Sequence, residues 1–188
     1  ELIDALIQAG YSFQTFAEFI KAPKEKTIIL RHDVDLRPKN SLLFAEIQAK
    51  RNIKGVYYFR SVKKSFKPSI MRKINELNHE IGYHYECLAL KKGNHDEAIR
   101  KFETDLLKFR EIAPIETICM HGSPMSKHDS KDLWKTYNYN DFEIIGEPYF
   151  DIDFNEVMYL TDTGRSWYNK KISIRDKVTW INRFWVKS

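Results

Sequence analysis

From residue 27 onward, strand-like runs and helix-like runs take turns along the chain, and few architectures accept that order. Runs suited to strands fall at 27–35, 55–60, 80–86, 115–121, 142–146, 157–163 and 178–185. Between them, apolar residues recur at helical spacing. In 38–52 these are Leu42, Leu43, Ala45, Ile47 and Ala49, and in 68–78 they are Ile70, Met71, Ile74 and Leu77. Pro38 and Pro68 suit a first helical turn, where the missing N–H costs nothing. A longer helix is expected over 95–113, stopped by Pro114, and a short one over 130–137. Two more, near 2–9 and 15–20, precede the first strand. Strands that alternate with helices imply crossover connections and a parallel sheet. About seven such strands predict an α/β fold that closes as an irregular, reduced (β/α) barrel, because a full eightfold barrel takes about 250 residues and this chain has 188.

That length predicts a single domain over 1–188. No apolar run reaches the length of a membrane span, and no secretory signal is visible at the start. The formal charge is +5, without a block of like charges, so no nucleic-acid partner is expected. Cys87 and Cys119 are the two cysteines, far apart in the chain. They predict no disulfide framework and lean towards a reducing, cytoplasmic compartment, with a trimmed N-terminus left open because the chain starts at Glu1.

The chemistry gathers where the strands end, which is where parallel α/β folds line their sites. The first strand runs into "RHDVD", 31–35, the third is "HEIGYHYE", 79–86, and the fourth leads into "ICMHGSP", 118–124. Side chains alternate faces along a strand. Arg31, Asp33 and Asp35 therefore share a face, with His32 on the other. Glu80, Gly82, His84 and Glu86 share a face, and so do Thr117, Cys119 and His121. Two carboxylates and two imidazoles that converge would repel or shift one another, and a divalent cation removes the conflict. Neutral imidazole with carboxylate is a donor set for catalytic zinc. Taken singly, each residue has a plainer reading. Asp35 could cap the following helix, His84 could be a hydrogen-bonded core histidine, and His121 could shape a turn beside Gly122. His79 reads as a charge partner at a helix C-terminus. His95 and His128 read as exposed helix starts, and Tyr83 and Tyr85 as packing under helices.

"RHDVD", "HEIGYHYE" and "MHGSP" together resemble the polysaccharide deacetylase superfamily, the NodB-homology carbohydrate esterases. More narrowly they resemble its divergent branch with an RHDVD first motif, found among surface-polysaccharide functions. The resemblance runs from about residue 27 to 185. It implies a (β/α) barrel, a divalent metal with zinc as first choice, and removal of acetyl groups from N-acetylated sugars or a surface-polysaccharide precursor. Residue by residue, it makes Asp33 the base and Asp35 a metal ligand. His84 is then the first histidine of the family's H-x-x-x-H pair, whose second place holds Leu88 here. His121 is the first candidate for the missing ligand and Glu86 the second. The family's late general-acid histidine falls near Asn182, so His121 either takes that role or activity is altered. Asp162 and Arg165, in "TDTGR", would hold substrate or orient a histidine. Arg31, His32 and Glu86 would touch substrate or steady the ligands.

On this expectation a metal held by Asp35, His84 and His121 activates water, Asp33 takes the proton, and Arg31 supports Asp33. Tyr58, Tyr85, Tyr149 and Trp167 are candidates to stack on sugar faces. The partner is an acetylated sugar or oligosaccharide, and the oligomeric state is left open. An inactive sugar-binding relative is the alternative. A glycosyltransferase read from "DVD" fits poorly, because the roughly thirty residues before Asp33 are too few for a nucleotide-binding half.

Overall fold

The computed structural model describes residues 1–123 and 125–161. Contacts separate a unit of Glu1–Asp151 from one that begins at Ile152, and of the second only 152–161 are described. In the first unit the order is α1 (Leu2–Gln8), β1 (Ser12–Gln14), α2 (Phe16–Lys21), β2 (Thr27–Ile29), β3 (Arg31–Val34), α3 (Pro38–Ala49) and β4 (Val56–Phe59). There follow α4 (Pro68–Glu76), β5 (Glu80–Tyr85), α5 (Cys87–Leu90), α6 (His95–Arg110), β6 (Ile118–Met120) and α7 (Pro148–Asp151). Two 3-10 turns, Ser130–Lys135 and Tyr139–Phe142, lie between β6 and α7.

Local chemistry explains the helix starts. Pro38 and Pro68 sit in the first turns of α3 and α4. Thr15 and Glu18 form a reciprocal capping box on α2, and Asn94 caps α6 through the Glu97 amide. The caps satisfy amides that a helix N-terminus leaves without a partner, and each proline removes one such amide.

Strands β3, β4, β5 and β6 lie side by side in chain order, all parallel. One face of this sheet presents Val34, Tyr57, Phe59, Ile81, Tyr83, Tyr85, Ile118 and Met120, packed against Ala45, Met71, Ile74, Phe102 and Phe109 from α3, α4 and α6. A fully buried aromatic or aliphatic side chain contributes about 1.5–3 kcal/mol, so this face supplies most of the driving force. The other face carries Arg31, Asp33, Tyr58, Gly82, His84 and Cys119. The two-residue period of the strands thus gathers the acids, Arg31 and His84 on one side, with His32 left on the other.

The expected closed barrel of about seven parallel strands is overturned. Among the described residues there are six strands, four in the main sheet and two, β1 and β2, in a separate parallel pair. Residues 27–35 are not one strand. They change partner at Leu30, with β2 pairing to β1 and β3 to β4. Residues 142–146 make one isolated bridge, Thr117 to Gly146. Their apolar pattern reflects burial of Ile144 in the core, not strand pairing. Residues 157–161 lie in a bend and irregular chain, and 178–185 lie outside the described residues. Strand β1 and helices α5 and α7 were not expected, all being too short to show a period.

His79 also differs from its expected role. It is buried, its Nδ1 accepts the Gly55 amide at 3.1 Å, and its Nε2 then donates to the Ala45 carbonyl at 2.9 Å. Burial holds its pKa below the ordinary histidine value, so it is a neutral tie between β5, α3 and the start of β4 and not a charge partner.

Gly82 has a steric reason. The ring of Tyr58 crosses over it to share a hydrogen bond of 2.9 Å with Thr117 Oγ1, and a Cβ at residue 82 would run into ring atoms Cδ1 and Cε1. Tyr58 is fully buried and cannot step aside freely. Gly82→Ala is expected to lower stability by about 1–3 kcal/mol, read as a lower urea midpoint. An unchanged midpoint would contradict this packing.

Candidate metal centre

Four parallel strands bring their C-terminal ends to one rim. Asp35 follows β3, Arg60 follows β4, Glu86 follows β5 and His121 follows β6. One step back, Asp33, His84 and Cys119 stand on the polar face, with His84 and Cys119 directly paired in register. The His121 amide donates to the Tyr85 carbonyl at 2.8 Å, which extends the ladder just far enough to bring His121 beside His84.

His84 is 2 % exposed. Its Nδ1 lies 2.8 Å from the Cys119 carbonyl oxygen. A carbonyl only accepts, so Nδ1 carries the proton. Burial is the largest influence on His84 and lowers its pKa, and the nearby Asp33 charge does not reverse that. The neutral ring therefore turns a bare Nε2 lone pair towards the rim. That nitrogen accepts a hydrogen bond from His121 Nδ1 at 3.3 Å and lies 4.0 Å from both Asp33 Oδ2 and Asp35 Oδ1.

Asp35 completes the group. Its Oδ1 stands 3.2 Å from His121 Nδ1, yet this buried oxygen makes no hydrogen bond of good geometry. Burial pushes the Asp35 carboxyl up, but the His121 imidazole and the charges of His84, His121 and Arg60 outweigh it and hold the pKa below its ordinary value. A single proton on His121 Nδ1 cannot serve both Asp35 and His84. An ion can serve all three.

The donor set fits a divalent cation. A tetrahedral ion with bonds of about 2.0–2.3 Å holds its donors roughly 3.3–3.8 Å apart. The three separations among Asp35, His84 and His121 are 3.2, 3.3 and 4.0 Å. A buried acceptor without a hydrogen bond and a bare imidazole nitrogen are what such an ion requires. The His84–Cys119 hydrogen bond is also the kind of outer support that orients a metal-binding histidine. A second set, Asp33, His84 and Cys119, brings its donor atoms within 4.8 Å of one another.

Charged neighbours steady the rim. Glu86 is nearly buried and is clasped by Arg60, with Nε at 2.9 Å and Nη2 at 2.8 Å from Oε1 and Nη2 at 2.8 Å from Oε2. Glu86, the second choice for a ligand, is thus committed to a guanidinium, and its Oε2 stands 4.0 Å from His121 Nε2. Arg60 Nη1 also lies 3.8 Å from Asp35 Oδ1. Arg31 Nη2 donates to Asp33 Oδ2 at 3.1 Å, and its guanidinium lies over the Tyr149 ring at 5.6 Å. Behind them Glu147 is fully buried and accepts the Met120 and Tyr149 amides at 2.9 and 2.6 Å. Burial pushes its carboxyl up to about 7 against the pull of those amides.

Arg31, Asp33, Asp35, His84, Glu86 and His121 thus meet at one rim, and His32 does not. It lies on the opposite face, stacked on Tyr57 at 4.4 Å with its Nε2 2.7 Å from Gln48 Nε2. Leu88 is buried in the core. Tyr58 and Tyr85 are fully buried and offer no ring face to a sugar, whereas Tyr149 is half-buried. Asp162, Arg165, Trp167 and Asn182 lie outside the described residues. Sequence reasoning missed Arg60, Glu147 and the donor role open to Cys119. The two-residue period did carry a signal for Arg60, which stands two positions past Tyr58 on the polar face. Glu147 had none, because the segment before it forms no strand.

No family model, curated protein or solved structure matches the chain. Among the described residues no helix is long and apolar enough to cross a membrane.

Arg60→Ala would leave the Glu86 carboxylate buried without its partner, and breaking such a pair costs about 3 kcal/mol. Urea unfolding is expected to show that loss, with part of it recovered in the double variant Arg60→Ala/Glu86→Gln. A double variant no more stable than Arg60→Ala alone would contradict the assignment.

Proposed function

We propose that the chain is a divalent-metal-dependent hydrolase that removes acetyl groups from N-acetylated sugars or a surface-polysaccharide precursor, as the resemblance to polysaccharide deacetylases implies. The observation that carries this reading is the convergence of Asp35 Oδ1, His84 Nε2 and His121 Nδ1, 3.2 to 4.0 Å apart, at one rim of a parallel sheet. Zinc suits two imidazoles and a carboxylate. When bound, it would lower the pKa of a water and polarise the acetyl carbonyl.

The remaining work falls to the chain's own groups. The Cys119 carbonyl keeps the His84 proton on Nδ1 and so keeps Nε2 available. Asp33 is left outside the Asp35–His84–His121 group, with Oδ2 4.0 Å from His84 Nε2. It is the carboxylate left to take a proton from water, and with His121 used as a ligand instead of as the expected acid, it returns that proton to the departing amine. Arg31 orients it through the 3.1 Å hydrogen bond to Oδ2. Arg60 draws Glu86 away from the ligand positions while adding positive charge beside Asp35.

One observation favours a second reading, a sugar-binding relative without turnover: the second histidine place of the family motif is Leu88, buried in the core. Acetate release from N-acetylated sugar oligomers separates the two. The zinc-loaded protein is expected to release acetate, lose this on chelation and regain it with zinc. His84→Ala and Asp35→Ala should lose both the ion and turnover. Asp33→Asn should keep the ion and lose about 10²–10⁴-fold in rate. Turnover that survives chelation contradicts the proposal, and sugar binding without acetate release favours the second reading.

A further inference from the structure

The bare nitrogen of His84 faces two donor sets. Asp35 and His121 form one set with it, and Asp33 and Cys119 form another, the ligand atoms of each set within 4.8 Å of one another. The distances from His84 Nε2 to the two carboxylates are equal, 4.0 Å each. One lone pair binds one ion, so the two sets compete for it. They differ in chemistry. The first offers nitrogen and oxygen, whereas the second adds the sulfur of Cys119, which is fully buried. Soft thiolate donors select thiophilic ions over hard ones.

We infer that the rim carries a second metal position, formed by Asp33, His84 and Cys119, that captures ions softer than zinc, such as Cd²⁺, in competition with the Asp35–His84–His121 position. The inference rests on the reading of this rim as a metal site and deepens it, because it assigns the site a mode of inhibition. An ion in the second position takes up Asp33, the group proposed to move the proton, and also takes His84 from the first position. Coordination releases the thiol proton of Cys119 to solvent, with no change in oxidation state. Hard ions such as Mg²⁺ gain nothing from sulfur and do not enter it. The other cysteine, Cys87, does not contribute. It lies in the helix-packed core with Sγ 3.1 Å from the Tyr83 hydroxyl.

Cadmium titration of the purified chain tests this through the ultraviolet absorption of a cadmium–thiolate bond. The wild type is expected to develop that absorption with one equivalent of Cd²⁺. Cys119→Ser should abolish it, and Asp33→Asn should weaken binding. Cys87→Ser and His121→Ala should retain it, with far-ultraviolet circular dichroism reporting the fold of each variant. X-ray absorption on the cadmium-loaded wild type should show one sulfur neighbour, a result that depends on no substitution. A wild type without the thiolate signal, a signal that persists in Cys119→Ser, or its loss in folded His121→Ala overturns the inference. Zinc-dependent acetate release is scored separately. Its absence with the cadmium signal intact removes the hydrolase and leaves this position. Acetate release without the signal does the reverse.

Discussion

The hydrogen bond from His84 Nδ1 to the Cys119 carbonyl joins β5 to β6 and decides what the rim can do. It is a side-chain bond laid across a strand pair, so it depends on the register that puts His84 opposite Cys119. A slip of one residue would send His84 to the helix-packed face and bring Tyr83 or Tyr85 to the rim. The register is in turn held by the apolar face, because every residue of the Tyr83, Tyr85, Ile118 and Met120 set must stay buried at once. Packing on one side of the sheet therefore fixes the tautomer of a histidine on the other. A bare nitrogen beside an acid with a buried oxygen lacking a hydrogen bond then makes a cation the simplest resolution of the local charges.

The charged groups around that nitrogen divide into those that support and those left to react. Arg60 spends its guanidinium on Glu86, and Arg31 spends one amine on Asp33. These pairings keep a second and a third carboxylate, Asp33 and Glu86, from crowding the point that Asp35 occupies. The arrangement leaves Asp35 3.2 Å from His121 and as far from His84 as Asp33, which stands two residues behind it, each at 4.0 Å. Neither acid would hold this place as a bare charge in a closed core. Both are partly open to solvent, with side-chain exposures of 43 % and 29 %, while His84 beneath them is closed off.

Much of the rim was legible because alternation along a strand is a rigid rule. Arg31, Asp33 and Asp35 on one face, with His32 on the other, needed only the two-residue period. The same rule aligned His84 with Glu86 and Cys119 with His121. Helices α3, α4 and α6 were legible from their apolar spacing and, for the first two, from a proline in the opening turn. The closed barrel was not. Residues 142–146 are mostly apolar and short, a pattern shared by a strand and by an irregular segment that plugs a core, and Glu143 within them adopts a left-handed backbone with φ of 58° that ends a 3-10 turn. The partner exchange at Leu30 was hidden for a similar reason, since hydrophobicity reports burial but not which strand lies alongside. The hold of Arg60 on Glu86 is a contact between elements distant in sequence, beyond the reach of any local pattern.

The central claim is that Asp35, His84 and His121 hold one ion. Anomalous scattering from a zinc-loaded crystal tests it most directly. The account predicts a single peak about 2.0–2.2 Å from a carboxylate oxygen of Asp35, from His84 Nε2 and from a ring nitrogen of His121. No peak at the rim, or a peak that His84 Nε2 does not touch, would contradict it.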